Sequence, residues 1–519
     1  MANKSVFAST IGKLLPRANA WNREKAPAYG LEPRAALAQL AATGTFNRTF
    51  YAEPREQLAE IVKLARFVDA AFIAKTAIYA REKGHMKDMP AVLLAILATL
   101  DTGDFAKAFP RVVVNGRMLR NFAQVIRSGA VGRKSFGSRP KRMILGWLAQ
   151  ASDEDILRAS IGNDPSLADI IRMAHPKPQS KTREALYGYV VGRPYDVARL
   201  PQIVKDLEAF KRDPTLPVPD VPFQLLTALP LTQKQWAAIA ETASWQTLRQ
   251  GLNTFARHGV FGIAGMSERV AERLADPYAI ARAKVFPYQL MAAYAASAGE
   301  VPKIVRNALQ EAMEIAIGNV PELDQRIVVC PDVSGSMASP VTGYRKGASS
   351  VVRCIDVAAL VAASFLRRNR EVEMLPFEQD VVAIDLNPRD TVLTNAQKLA
   401  SIGGGGTNCS APLELLARRK AKVDLVVFVS DNESWVDAAK GGYEGTATMR
   451  AWSKIKRVNP QAKLVCVDIQ PNTTTQAAER ADILNVGGFS DAVFEMIQAF
   501  AENGLNPDHW IGEIEKIQL

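Results

Sequence analysis

The sequence predicts a multidomain chain: an all-α, HEAT-like helical-repeat region, then a doubly wound α/β domain. Three observations lead there. The chain has 519 residues, too many for one ordinary core. Up to about residue 319 its apolar residues recur at three- and four-residue intervals. After Pro321, short β-branched apolar runs alternate with helical patterns instead. A composition of 48% hydrophobic and 23% charged residues excludes the disordered and fibrous classes. The longest clean apolar run, Ala91–Leu100, has about half of the ~20 residues a spanning helix needs, so no membrane partner is expected.

In the front region the helical periodicity is plain at Glu56–Arg66, Ala70–Arg81, Pro201–Lys211 and Ile304–Ile317. Pro and Gly punctuate these blocks, as in Lys83–Pro90 and the proline-rich Asp213–Pro222. Helix pairs following one another over some 300 residues fit an α-solenoid better than a bundle. A Gly/Pro-containing turn at residues 318–324 marks the boundary, giving domains 1–320 and 321–519.

In the second region the runs Arg326–Cys330, Glu371–Leu375, Leu425–Ser430 and Lys463–Ile469 read as buried parallel strands. Helical patterns lie between and after them, at Ile355–Arg368, Ala411–Lys420, Thr448–Arg457 and Asp491–Ala501. An open α/β sheet keeps its crevice at the carboxyl ends of the strands. There the chain has Asp332-Val-Ser-Gly-Ser336 after the first strand, Gly403-Gly-Gly-Gly-Thr407 before a helix, and Asp431 after LVVFVS. Two carboxylates and three hydroxyls, with neither Cys nor His, suit a hard divalent cation, of which Mg²⁺ is the natural choice. D-x-S-x-S alone could equally be a metal-free turn capping a helix. Thr407 and Asp431 at later strand ends favour the metal, and a partner's carboxylate could replace one of its waters.

Charge is unevenly spread. The net charge is +11, made of +15 in residues 1–320 and −4 in the remainder. Between Phe105 and Ser152 there is no acidic residue, against ten basic ones that include Arg133, Lys134, Arg139, Lys141 and Arg142. A solvated helix face normally interleaves Glu with Lys and Arg, so one-sided charge asks for an anionic partner, with nucleic acid first. A second cluster, Arg172-Met-Ala-His175-Pro-Lys177 with Lys181 and Arg183, is expected to expose its imidazole and cations together on a proline turn. Such residues stack on bases and bond phosphates. Tyr187, Tyr189 and Thr254–Phe261 read as packing.

Catalytic chemistry is not in evidence. His85, His175, His258 and His509 are the only histidines, and none but His509 lies in the second domain, far along the chain from Ser334 and Ser336. Gly129–Ser135 lacks the spacing and the preceding strand of a phosphate loop. The carboxylates are too few for a two-metal nuclease. The expectation is a non-enzyme. Cys330, Cys354, Cys409 and Cys466 have no CxxC form and read as buried free thiols in a reducing cytoplasm. Lys13 and Pro16 interrupt the N-terminus, against a secretory signal.

At His175-Pro-Lys-Pro, Phe286-Pro-Tyr-Gln, Asp332-Val-Ser-Gly-Ser336, Gly406-Thr-Asn-Cys-Ser410 and Ser430-Asp-Asn-Glu-Ser434 the chain resembles the Ro autoantigen family. The compact loops and alanine-rich helices fit a bacterial member. The resemblance implies a TROVE module of helical repeats closed into a monomeric ring by a von Willebrand A domain. It implies a metal-ion-dependent adhesion site in which Ser334, Ser336 and Thr407 ligate directly and Asp332 and Asp431 act partly through water. It further implies binding of noncoding Y RNA, with His175 as a contact and Lys141 and Arg142, before Trp147, as further contacts. Single-stranded ends of misfolded RNA would pass through the ring, and an exoribonuclease would be tethered through bound RNA for decay or maturation. The contrasting reading is a protein adaptor in which Mg²⁺ at Asp332 and Thr407 grips a partner carboxylate.

Overall fold

The computed structural model describes residues 15–43, 46–49, 51–283, 285, 287–297, 299–344, 352–436, 438, 445–488, 491–503 and 509–519. Lys13 and Phe286, which figure in the sequence motifs, lie outside the described residues.

The front region is helical where the periodicity says so. The four periodic blocks are helices at Pro54–Leu64, Ala70–Glu82, Gln202–Arg212 and Lys303–Ala316. Local chemistry sets their starts: Pro54 opens the first, and Asp69 caps the second by accepting from the Phe72 N–H at 2.9 Å. Helix Asp88–Leu97 has no polar face. Every residue from Met89 to Leu97 is buried, because Ala70–Glu82, Asp104–Val112 and Gly116–Arg127 pack around it. Beside it Phe105, Phe109 and Phe122 interlock with ring centroids 5.4–5.9 Å apart. Each ring contributes about 2–3 kcal/mol by leaving water.

Among the described residues there are eight strands, three of them in a small separate sheet. In chain order they are β1 (Ala20–Trp21), β2 (Pro27–Gly30), β3 (Ile327–Pro331), β4 (Val372–Met374), β5 (Leu425–Ser430), β6 (Lys463–Asp468), β7 (Thr474–Thr475) and β8 (Ile483–Gly487). The main sheet has the order β4-β3-β5-β6-β8, and every neighbouring pair is parallel. β3 and β5 are buried along their whole length, as expected of strands covered on both faces. The predicted helices appear at Cys354–Arg368, Ala411–Arg419, Ala447–Val458 and Asp491–Asn503. All four cysteines are free and buried.

The change from helices to alternating strands and helices falls between Ala316 and Ile327, at the predicted turn. The compact units nevertheless divide the chain otherwise than at residue 320. One gathers residues up to Phe67, Ile280–Ala296 and Leu309–Lys516; the other gathers Val68–Ala279, Ser297–Ala308 and Ile517–Leu519. Strand pairing explains why the N-terminal segment joins the sheet-bearing unit. β2 lies between β1 and β7, with Tyr29 opposite Thr475. Tyr29 is buried in the same core as Phe428 and Trp452. These pairings involve strands of two to four residues, too short to show a periodicity.

Candidate metal centre and nucleic-acid interface

The sheet brings the five predicted metal-site residues into one hydrogen-bonded cluster. β3 and β5 are neighbours in register, Pro331 opposite Val429, so Asp332 and Asp431 both leave the carboxyl end of the sheet side by side. Ser334 and Ser336 follow on a tight turn. The glycine loop lies directly against that turn, with Gly335 N–H bonding Gly405 C=O at 3.0 Å and Gly404 N–H bonding Val333 C=O at 3.1 Å. Gly405 has φ +64°, and a Cβ there would lie 2.3 Å from Glu378 Oε2. The run of glycines is therefore what lets Thr407 reach the serines.

The contacts then follow one another. Ser430 Oγ donates to Asp332 Oδ2 at 2.6 Å, and the Ser334 N–H donates to Asp332 Oδ1 at 2.9 Å. Thr407 Oγ1 donates to Ser334 Oγ at 2.8 Å, and Ser334 and Ser336 hydroxyls lie 3.3 Å apart. Ser336 in turn hydrogen-bonds Asp431. None of the five is more than 7% exposed. Among the described residues neither aspartate has a cationic partner. Burial, and then the charge of Asp431, pushes Asp332 up to about 7; burial also raises Asp431. Two buried carboxylates without a counter-ion, ringed by hydroxyl oxygens, are a donor set that fits a hard divalent cation. Among the described residues no three His, Cys, Asp or Glu side chains are grouped to hold a metal, so a cation here would depend on the hydroxyls.

Further acidic groups, absent from the sequence motif, stand beside the cluster. Glu433 is pushed up to about 8 by burial and by Asp431, and Asp468, at the end of β6, is raised by burial and by Asp431 and Glu433. Glu433 accepts from the Arg23 N–H at 2.7 Å and from Asn472 Nδ2 at 2.6 Å. Asp468 Oδ2 accepts from Gln39 at 3.2 Å, while its Oδ1 has no hydrogen-bond partner among the described residues. The strand-end rule that found Asp431 applies equally to Asp468. Tyr51, which hydrogen-bonds Ser336, has no such signal in the sequence.

In the helical unit, several of the predicted RNA contacts converge on one pocket of about 440 Å³. Lys141 enters it from helix Ser138–Gln150, and His175 and Lys177 from the turn after helix Leu167–Ala174. His175 ends its helix in the left-handed region, at φ +54°, and the side chain is exposed. Arg142, beside Lys141, is exposed as well. The head groups of Lys134, Lys141, Arg142 and Lys177 have no partner among the described residues.

The other predicted cations are engaged. Arg133 donates to Ala98 C=O at 2.7 Å, and Arg139 to Leu100 C=O at 2.7 Å and Thr102 C=O at 3.2 Å. Arg172 donates to Val191 C=O at 2.8 Å, and Lys181 pairs with Glu184 at 3.1 Å. Arg183, expected beside His175 as an exposed cation, lines the pocket with its guanidinium turned inward. It bonds Leu148 C=O at 2.8 Å, Ala151 C=O at 2.7 Å and Asp153 at 3.1 Å. The free carbonyls at the end of helix Ser138–Gln150 attract it there. Tyr187 and Tyr189 pack as read, their hydroxyls donating to Leu148 C=O at 3.0 Å and Glu208 at 2.7 Å. His258, in Thr254–Phe261, stacks on Trp236 at 4.3 Å.

Comparison with known proteins agrees with a helical region followed by an A domain. Residues 326–501 match the family model of the Ro60 vWA domain. A protein named RNA-binding protein RO60, from Deinococcus radiodurans, is 26% identical over 91% of this chain and 93% of its own length. Its namesake from Caenorhabditis elegans is 23% identical over 45% of this chain and 36% of its own. The crystal structure of the Deinococcus radiodurans RO (RSR) protein superposes with a TM-score of 0.63 at 23% identity, covering 91% of this chain and all of that one, and so shares the fold. The chain thus carries a Ro60-type A domain behind a helical region and is similar to a bacterial Ro protein along nine-tenths of its length.

Proposed function

We propose that this chain is an RNA-binding protein that acts as a scaffold and has no catalytic activity of its own. Its RNAs would be Y-like noncoding RNA and single-stranded ends of misfolded RNA, held for quality control, maturation or decay. The observation that carries the reading is the pocket where Lys141, His175 and Lys177 meet beside Arg142, with Lys141 and Arg142 coming from a stretch without acidic residues. Curated relatives named for RNA binding support it. Unpaired ammonium and guanidinium groups supply affinity by releasing counterions from phosphates, and an exposed imidazole on a fixed turn offers a stacking surface. In this reading the protein works as a cytoplasmic monomer, with an exoribonuclease tethered through bound RNA. Asp332, Ser334, Ser336, Thr407 and Asp431 hold a divalent cation, Mg²⁺ by donor type. That cation supplies charge neutralisation at the sheet end.

The test is a salt titration of binding to a hairpin RNA with a single-stranded 3′ tail. Lys141→Ala/Arg142→Ala removes two unpaired cations, so the slope of log K against log salt should flatten by about 1.4–1.8. His175→Ser should weaken binding with little change in slope. Weak, equal binding by all three proteins would remove RNA from this pocket.

A further inference from the structure

The five metal-site residues are closed off from solvent, and the chain's own N-terminal segment lies over them. This segment is fastened on both sides of the site, at Asn22 and Arg23 and at Asn47 and Arg48. On one side Asn22 Nδ2 donates to Ser434 C=O at 2.7 Å, and the Arg23 N–H donates to the Glu433 carboxylate at 2.7 Å, both in the loop that carries Asp431. On the other side Asn47 Nδ2 donates to Thr342 C=O at 2.7 Å, and the Tyr344 N–H donates to Arg48 C=O at 2.7 Å, just beyond the loop that carries Ser334 and Ser336. Just past the second anchor the Tyr51 hydroxyl hydrogen-bonds Ser336, the residue that also bonds Asp431.

An open site of this donor type takes its last ligand from a partner. Here any partner's carboxylate would first have to displace Tyr51 from Ser336 and the Arg23 backbone from Glu433. We propose that the occupant is internal: Tyr51 fills the exposed side of the metal site, and a bound divalent cation clasps the N-terminal segment to the end of the sheet. The ligand class is a phenol oxygen of the same chain, and the cation's role is intramolecular fastening. This rests on the metal reading given above. It accounts for two otherwise separate facts, the near-complete burial of the five residues and the bonding of the segment to the chain on both sides of them.

Binding to a closed state alone slows opening in proportion to one plus the ratio of ligand to Kd. The experiment therefore pairs Mg²⁺ titration calorimetry of the full chain with limited tryptic cleavage after Arg48 and Arg55, followed by mass spectrometry. At Mg²⁺ about tenfold above its Kd, cleavage of the unmodified protein should be about tenfold slower than in chelator. Thr407→Val should bind no Mg²⁺ and be cut at the chelator rate under both conditions. Tyr51→Phe should still bind Mg²⁺ but show less than about twofold protection, and acetate should then strengthen its Mg²⁺ binding while leaving the unmodified protein unaffected. Mg²⁺ binding with no change in cleavage of the unmodified protein overturns the clasp and leaves the metal site standing. So does full protection in Tyr51→Phe. Absence of Mg²⁺ binding by the unmodified protein overturns both, with no variant required.

Discussion

Arg183 lines the pocket offered as the RNA site, yet its geometry assigns it to the scaffold, and Arg183→Ala separates the two roles. The side chain is 14% exposed, and its guanidinium makes two bonds to carbonyls of 2.7 and 2.8 Å and an ion pair of 3.1 Å with Asp153. It also lies over the Tyr187 ring, 5.8 Å from its centre. Hydrogen bonds to a charged group contribute about 1.5–3 kcal/mol each when buried. Asp153 is one-third exposed, and Leu148 C=O keeps its bond from Tyr187 after truncation, so both contributions are reduced. The expected loss is about 2–4 kcal/mol. For a unit of this size that lowers its melting temperature by about 5–15 °C. Arg183→Lys should recover little, because one ammonium cannot span two carbonyls and a carboxylate. The assay is thermal unfolding beside the salt titration of RNA binding, carried out well below the transition. A stable Arg183→Ala protein with a flatter salt slope would refute the assignment, since it would make Arg183 a phosphate contact.

Three further outcomes follow from other regions of the molecule. Asp332 (about 7), Glu433 (about 8) and Asp468 are all raised in the folded protein, which therefore holds protons that the unfolded chain has released. In chelator, stability should fall as pH rises from about 4 to 8, and Mg²⁺ should raise the melting temperature more at pH 8 than at pH 5; stability rising across that window would count against it. A Cβ at Gly116 would sit 2.1 Å from Ala159 Cβ and 2.6 Å from its Cα, so Gly116→Ala must push the packed helices away from each other. A loss of about 2–3 kcal/mol by urea unfolding is expected, and a neutral result would show that the helices yield freely. Burial pushes Cys466 up to about 12 and holds the Cys330 and Cys409 thiols well above their ordinary value. Ellman's reagent should label none of the four cysteines in the native protein and all four after denaturation.

Sequence made the architecture legible wherever one element carried its own signal. The fully buried β3 and β5 announce themselves as apolar runs, and the loops that leave their ends carry Asp332 and Asp431 within two residues of the core. What stayed hidden depends on partners distant in the chain. β1, β2 and β7 are too short to show alternation and exist because they pair with one another. Tyr51 has no motif; only folding sets it against Ser336. The same limit divides the basic residues. Composition shows ten cations without an acid, but cannot tell Lys141, whose head group has no partner among the described residues, from Arg139, which is spent on carbonyls of the turn after helix Asp88–Leu97. Charge is a property of the residue, whereas availability is a property of the fold.

The pairing of the N-terminal strands with the far end of the chain bears on how the protein is made. Arg23 and Glu433 are 410 residues apart. At about 5–20 residues per second, a ribosome needs roughly 20–80 s to reach the second after the first. The helices from Ala70 onward can form on emergence, but the N-terminal segment has to wait for almost the entire chain. During that interval β2 offers the edge that β7 will cover to any neighbouring nascent chain. A fragment that begins at residue 321 would release β7 from β2 and leave the Glu433 carboxylate without Arg23, so dissection of this protein at its apparent boundary exposes surfaces that the N-terminal segment otherwise covers.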